Sequence, residues 1–331
     1  MRFTRFFTQK LGQNSYIHTP KEIKKILIIR PNHRLGNILL ITPFIEEVAT
    51  IFPQAKIDLF VKGGAASQVF KNNSNIHKIY ALPKKHFKEL FTYFKTWIGL
   101  LFRKYDLVIN ISKESSSGNL ATKVSRAKFK YFGYEESSIT IPEDYFHFAK
   151  YPIYNFREYL KKSGIKVTNQ GIEKLKLKLS SQEIKLGKEL VFNITKNEKK
   201  TIVFFTYATG SKCYSTTFWE AFYSKLKEEF ELNYNLIEIL PIENVSQVNF
   251  KAPTFYSKDI REIASFLTNV ELFIGADSGM MHLAATATKT IGLFSYSDKI
   301  SIYQPYAEEN IGIDTNKVSI EDCIKKIKFE M

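Results

Sequence analysis

The sequence predicts an α/β protein built from two doubly wound parallel sheets. Nearly continuous apolar runs, typical of strands buried on both faces, alternate with segments of helical periodicity. This alternation occurs twice along the chain, and strands separated by helices at these spacings form parallel sheets. The length of 331 residues is too great for one typical core and suits two domains.

The first series begins with the apolar strand at 25–30, followed by a loop at 31–37 and a helix predicted over 38–51, which Pro53 ends. The remaining elements follow the same alternation. They are strands at 57–61, 76–82, 107–111 and 129–132 and helices at 86–103 and 151–164.

The second series begins with a helix over 181–193, for which Ser180 or Ser181 is the cap, and a strand at 201–205. Its other elements are strands at 236–240, 270–274 and 290–294, a short extended piece at 255, and helices at 217–230, 259–268, 277–286 and 320–328. These elements predict a basic tail (1–20), a first domain (21–165), a lysine-rich hinge (166–180) and a second domain (181–331).

The charge balance favours an acidic partner. The chain carries 48 Lys and Arg against 33 Asp and Glu, a formal net charge of +15, which suits nucleic acid, anionic lipid or a phosphorylated substrate. The lysines are scattered and no nucleic-acid-binding motif is present, so nucleic acid is not the expected partner. Two distant cysteines indicate a reducing compartment, and no apolar run reaches the ~20 residues of a membrane span.

The predicted helix at 86–103 is more apolar than a single core-facing stripe requires. Lysines and an arginine flank and interrupt it. Two interpretations stay open: its surplus aromatic and basic surface meets a membrane or a lipid-linked acceptor, or the helix is a wide core element beneath a long loop.

The stretch that follows the strand at 270–274 is a candidate anion site. Asp277 and Ser278 are good helix caps, and an alanine-rich helix follows them. Backbone N–H groups of Ser278, Gly279 and Met280 would then converge at a helix N-terminus, where an anion is stabilised, and His282 lies one turn further on. The alternative is an ordinary capped strand–helix junction.

Other well-known phosphate, cofactor and metal motifs are missing. No P-loop, dinucleotide fingerprint G-x-G-x-x-G or G-x-S-x-G elbow occurs. The six histidines lack zinc spacing, and no Asp-x-Asp is present to hold a metal on a diphosphate. The sequence therefore predicts no cofactor and no metal, with phosphates held by backbone amides, lysine and histidine.

The residues carry a resemblance to the heptosyltransferases, glycosyltransferase family 9. The matching stretches are residues 28–61, 205–222 and 259–294, which include an Arg-Leu-Gly loop and the motif Asp-Ser-Gly-x-x-His-Leu-Ala. The resemblance implies the GT-B fold, in which two Rossmann-like domains face an interdomain cleft.

The resemblance also implies an activity: inverting, metal-independent transfer of a sugar from a nucleotide diphosphate donor, in the family typically ADP-heptose. The implied acceptor is the lipopolysaccharide core or a related cell-envelope glycan. The expected partners are thus a nucleotide-sugar and an anionic glycolipid or glycan. The expected location is the cytoplasm, extending to peripheral contact with the cytoplasmic face of the inner membrane.

Residue roles follow from the same resemblance. Glu243 and Asp277 would bind the nucleotide, although Glu243 could equally be a surface residue and Lys212 a solvated loop lysine. The implied donor-phosphate residues are Thr209, Ser211, Lys212, Ser278, Gly279, Met280 and His282.

One departure concerns the acceptor loop that contains Arg34 and Gly36. The family usually has an aspartate, the general base for the acceptor hydroxyl, where this chain has Asn37, and an amide cannot take up a proton. Either His33 or Glu114 substitutes as the base, or Asn37 only orients the hydroxyl. The remaining alternative is a non-catalytic member that binds nucleotide or glycan. A second departure, at 295–298, leaves the identity of the donor open.

Overall fold

The computed structural model describes residues 12–85, 88–135, 142–167 and 171–331. The chain divides into two compact units, of which the first ends at Glu173 and the second begins at Lys174. That division lies within the lysine-rich segment at 166–180, whose function as a hinge stays a prediction. Most of the predicted tail, residues 1–11, lies outside the described residues, as does the start of the helix predicted at 86–103.

The first unit contains a five-stranded parallel sheet with the order β3-β2-β1-β4-β5. Its strands are β1 (Lys25–Arg30), β2 (Lys56–Lys62), β3 (Ile76–Leu82), β4 (Lys104–Asn110) and β5 (Arg126–Tyr131). Its helices are α1 (Leu35–Leu39), α2 (Thr42–Ile51), α3 (Ala65–Val69), α4 (Leu90–Phe102), α5 (Ser116–Val124) and α6 (Tyr151–Lys162).

The second unit contains a six-stranded parallel sheet with the order β11-β10-β9-β6-β7-β8. Its strands are β6 (Lys200–Phe205), β7 (Tyr234–Ile239), β8 (Thr254–Phe255), β9 (Leu272–Ala276), β10 (Lys289–Phe294) and β11 (Ile311–Asp314). Its helices are α7 (Ser181–Thr195), α8 (Thr216–Phe230), α9 (Ile260–Leu267), α10 (Gly279–Ala284), α11 (Ile300–Tyr303) and α12 (Ile320–Glu330).

The prediction of two parallel α/β sheets is confirmed. The central strands are apolar and fully buried, as in β1, where residues 26–29 have no exposed surface. Because parallel strands share a direction, the loops that leave their carboxyl ends emerge at one edge of each sheet. The loop at 31–34 leaves β1 at that edge in the first unit, and the segments after β6 and β9 leave it in the second.

Several boundaries differ from the prediction. The helix expected at 38–51 is two helices, because the chain turns at 40–41 and the Thr42 hydroxyl donates to the Leu39 carbonyl at 2.8 Å. Pro43 lies in the first turn of α2, where its missing N–H is harmless. The helix expected at 277–286 is shorter, at six residues, and β11 was not predicted.

Two helices of the second unit pack unusually closely. Gly187 in α7 lies over Ser265 in α9, so that a Cβ at Gly187 would stand 2.0 Å from the Ser265 carbonyl oxygen. Beside this contact, Arg261 donates from Nε and Nη2 to both oxygens of Glu183, at 2.6 and 2.8 Å. These hydrogen bonds lower the pKa of Glu183 to about 2, and so the pair ties α7 to α9 throughout the neutral range.

Candidate functional site

An ion pair marks the edge of the second sheet. Lys212 lies in a short 3₁₀ turn after β6, and Asp277 follows directly after β9, the strand that pairs with β6. The Lys212 ammonium contacts the Asp277 carboxylate, and the Asp277 side chain is 9% exposed against 36% for Lys212. The structure therefore brings together two predicted site residues that are far apart in sequence, with the lysine accessible to solvent.

The turn after Asp277 leads directly into α10. Ser278 is the N-cap, and its hydroxyl accepts a hydrogen bond from the Met281 N–H at 3.4 Å. Gly279 and Met280 lie in the first turn of α10, so their N–H groups make no hydrogen bonds within the helix. Met281 packs on β10 at Gly292, which has no side chain. A Cβ at position 292 would stand only 2.5 Å from the Met281 sulfur.

The remaining predicted phosphate residues differ in exposure. Thr209 and Ser211 are exposed beside Lys212, on either side of Gly210, which has a positive φ of 66°. His282 is only 4% exposed, so its ring lies inside the unit and its contact with a bound anion stays a prediction. The aromatic ring of Tyr303, which the sequence did not single out, lies 5.7 Å from the Lys212 ammonium.

Glu243 lies in an exposed turn after β7, and its nucleotide contact also stays a prediction. The same loop is anchored by a buried carboxylate that the sequence reasoning missed. Glu238, in β7, accepts hydrogen bonds from the hydroxyls of Thr206 and Ser246, each at 2.6 Å. Burial raises the pKa of Glu238, and the two hydrogen bonds oppose that rise.

Glu238 thereby joins two loops at the sheet edge. Thr206 is the first residue after β6 and begins the loop that leads to Lys212, while its oxygen also accepts from the Gln247 N–H at 3.2 Å. The Ser246 oxygen accepts from the N–H groups of Val248 and Phe250. The sequence indicates this site only through Glu238 itself, a lone acidic residue in the apolar run of β7.

His33 lies in the candidate acceptor loop of the first unit. This histidine is exposed and lies against Gly63, where a Cβ would stand 3.2 Å from the His33 Cβ. Desolvation lowers the pKa of His33, and the positive charges of Lys84, Lys62 and Arg34 lower it further. The imidazole is therefore mainly neutral at pH 7, the form that can accept a proton.

The other residues of this loop open α1. Arg34 is exposed at the N-cap position, Gly36 is buried in the first turn, and Asn37 is half-buried as the third helical residue. Glu114, the other predicted substitute base, is exposed in the loop after β4 and is not among the charges that shift the His33 pKa. The structure thus places Asn37 within α1, and the function of His33 or Glu114 as the base stays a prediction.

No group of three or more His, Cys, Asp or Glu side chains is arranged to hold a metal ion within the ranges 12–85, 88–135, 142–167 and 171–331. Cys213 and Cys323 are both free thiols. In the same ranges no helix has the length and apolar character needed to cross a membrane.

Comparison with known proteins supports the resemblance seen in the sequence. Residues 257–329, which include α9, β9, α10 and β10, match the family model of glycosyltransferase family 9 (heptosyltransferase). The predicted resemblance is confirmed over this segment. No curated protein matches the chain in sequence.

Solved structures resemble the chain over nearly its whole length. A family 9 glycosyl transferase from Veillonella parvula DSM 2008 is 17% identical, with a TM-score of 0.74 over 95% of this chain and 98% of its own. The E. coli heptosyltransferase WaaC with ADP is 12% identical, with a TM-score of 0.69 over 93% and 100%. The E. coli ADP-heptose lps heptosyltransferase II is 14% identical, with a TM-score of 0.65 over 92% and 98%. At such identities the likeness concerns the fold, and the predicted GT-B class with two Rossmann-like sheets is confirmed.

Proposed function

We propose that this chain is an inverting glycosyltransferase that moves a sugar, heptose or a related one, from a nucleotide diphosphate donor to a lipopolysaccharide or related cell-envelope glycan. The observation that carries the proposal is the Lys212–Asp277 pair at the front of α10. Asp277 and α10 lie inside the segment 257–329 that matches the heptosyltransferase family model. The solved relative WaaC was crystallised with ADP, which favours an adenosine diphosphate as the leaving group.

The donor reaction requires stabilisation of a departing diphosphate. As the bond between the sugar and the phosphate breaks, negative charge grows on the nucleotide. The Lys212 ammonium and the first-turn N–H groups of α10 are fixed donors that would stabilise this charge, with Thr209 and Ser211 as nearby hydroxyl donors. Removing one such donor typically lowers a rate by about 10²–10³. We propose that this set acts without a metal ion.

The acceptor hydroxyl must lose its proton as it attacks the anomeric carbon. We propose that neutral His33 accepts that proton and that Asn37, held in the first turn of α1, orients the hydroxyl by hydrogen bonding. The lowered pKa of His33 supports this assignment, since it keeps the imidazole unprotonated at neutral pH.

Donor binding can be tested with purified protein by measuring thermal stabilisation with ADP, GDP, UDP and dTDP and their sugars, because a ligand that binds the folded state raises its stability. We expect stabilisation by one nucleotide class and its loss in Lys212→Ala. The matched control is Lys200→Ala, which removes the 2.9 Å ion pair with Glu271 at the opposite end of the same two strands. Stabilisation by none of these nucleotides, or equal loss in both variants, would contradict the proposal.

A second candidate function rests on Asn37. A chain that lacks the family's aspartate could bind nucleotide or glycan without catalysis. The variant Asn37→Asp separates the two, and an acidic residue in the first turn of α1 also suits the helix dipole. Turnover that appears only in Asn37→Asp would favour the non-catalytic function, whereas measurable turnover in the natural chain supports the transferase.

A further inference from the structure

Helix α4 attaches to the first unit by one narrow face. Tyr93, Trp97 and Leu100, spaced four and three residues apart, pack into the core beside β3, β5 and α5. The Trp97 ring stands edge-on to Phe60 of β2, with centroids 5.4 Å apart. These three side chains account for the burial expected of an amphipathic helix on a sheet.

A second apolar face of α4 points away from the core. Phe91, Phe94, Ile98 and Phe102 follow at helical spacings of three, four and four residues, and Leu90 and Leu101 extend the same face. The six side chains are 82%, 57%, 51%, 74%, 50% and 41% exposed in the order just given. This observation contradicts the interpretation of α4 as a core helix covered by a long loop. A contiguous exposed patch of large apolar residues normally marks an interaction surface.

Positive charge surrounds this face. Lysines border it at both ends and in the middle, and between residues 84 and 104 the sequence has a single acidic residue, Glu89. The exposed lysines are Lys84, Lys85, Lys88, Lys95 and Lys104. Arg103 instead stacks on Tyr80, with its guanidinium 4.1 Å from the ring centroid, and so fixes the end of the helix to the unit.

We propose that α4 docks the chain on the surface of a membrane that contains acidic lipids. Its 13 residues span about 20 Å at 1.5 Å per residue, less than the ~30 Å hydrocarbon core, so the helix lies in the plane of the interface. Phe91, Phe94, Ile98 and Phe102 enter the boundary between headgroups and acyl chains, and the lysines contact the acidic headgroups. The combination of aromatic residues and unopposed lysines selects this partner over an apolar protein surface.

The proposed membrane binding by α4 does not depend on the proposed transferase activity, so it is tested without a sugar donor. The purified full chain is floated with phosphatidylcholine vesicles that contain 0% or 30% phosphatidylglycerol. We expect binding to the acidic vesicles, weakening as salt rises. The double variant F91S/F102S should bind at least about tenfold more weakly, since the two most exposed phenylalanines of α4 no longer enter the bilayer. The variant K88E/K95E should bind at least about 25-fold more weakly, because losing the attraction of each lysine alone accounts for about fivefold.

Two matched controls lie in the other unit. Phe329→Ser removes a phenylalanine that is 89% exposed on α12, and K185E/K188E makes the same charge change on two exposed lysines of α7. Both should bind acidic vesicles as the natural chain does. Equal binding by F91S/F102S and the natural chain would overturn the proposal. So would a dimer in sedimentation velocity that F91S/F102S converts to a monomer, because a second copy would then cover the helix.

Discussion

The ammonium of Lys212 contacts the carboxylate of Asp277, which lies 65 residues further along the chain. The contact exists because the two residues follow neighbouring strands, whose register pairs Phe205 with Gly275. Asp277 is nearly buried and its backbone N–H donates to the Leu293 carbonyl, so the carboxylate is the fixed member of the pair. A lysine side chain with many rotamers is thereby held at the front of α10 before a ligand arrives.

This arrangement predicts that Asp277 acts on nucleotide binding through Lys212. We expect Asp277→Asn to weaken ADP binding about tenfold, because the freed lysine must be ordered on binding. In the Lys212→Ala background the same change should have no effect. Calorimetric titration of ADP into the four proteins of the cycle measures the coupling. Equal losses in both backgrounds would mean that Asp277 contacts the nucleotide itself, as the family resemblance implies.

The buried Glu238 predicts a dependence of stability on pH. Its folded-state pKa is raised above the ordinary 4.5, so between these values the folded chain keeps a proton that the unfolded chain has lost. The stability from this group is fully present below pH 4.5 and is lost as pH rises through the folded pKa. We expect Glu238→Gln to remove this component of the free energy of unfolding, measured in urea between pH 4 and pH 8.

The exposed Glu243 provides the reference for that experiment. Glu243→Gln makes the same change at an exposed position of the loop that Glu238 anchors, so it controls for the loss of one charge from that loop. A slope that Glu238→Gln leaves unaltered would show that ionisation of Glu238 does not differ between the folded and unfolded chains.

The sequence was sufficient for the strands other than β11 and insufficient for the contacts that join loops. Apolar runs such as those of β1 and β9 were interpreted correctly, because short apolar runs between polar or turn residues favour strands that are buried on both faces. The split between α1 and α2 was missed because the chain stays apolar through Leu40 and Ile41, and apolar periodicity does not register a turn. The bounds of α5 were not predicted, because Ser116–Val124 carries few apolar residues.

In the candidate functional site, too, residues were predicted and the contacts between them were not. Lys212 and Asp277 were each singled out, whereas their contact depends on strand order, which composition does not determine. Glu238 was passed over because one acidic residue in a strand carries no sign of its partners, and Thr206 and Ser246 lie 32 and 8 residues away.

His33 predicts the acidic limit of the transfer reaction. Partial desolvation and three nearby positive charges lower the pKa of His33 below the ordinary 6.5, so the base should be active at pH 7 and become protonated only at lower pH. We expect kcat/KM to fall as pH drops below about 6.5, in the manner of a single protonation. His33→Gln should lower the plateau about 10²-fold or more and abolish this limb.

A neighbouring charge tests the cause of that limit. Lys62 ends β2 near His33, and Lys62→Gln should move the acidic limb to higher pH, because one repulsive charge on the imidazolium is removed. The matched control is Lys56→Gln at the beginning of the same strand, which should leave the limb in place. A limb that persists in His33→Gln would assign the proton transfer to another group.

The close approach of α7 and α9 predicts a strict requirement for glycine at position 187. A methyl group there would meet the Ser265 carbonyl at 2.0 Å, and that oxygen belongs to the backbone of a packed helix, which can move only with its neighbours. Alanine favours a helix over glycine by about 1 kcal/mol, yet overpacking of this kind typically destabilises by about 1–3 kcal/mol and more when backbone must shift. We expect Gly187→Ala to lower the free energy of unfolding by about 2 kcal/mol. Gly64→Ala, where a Cβ meets nothing within 4 Å and φ is −89°, should destabilise less, since the loss of a good N-cap residue is opposed by the lower entropy of the unfolded chain. If Gly187→Ala proved as stable as Gly64→Ala in urea unfolding, α7 and α9 would stand further apart than the structure shows.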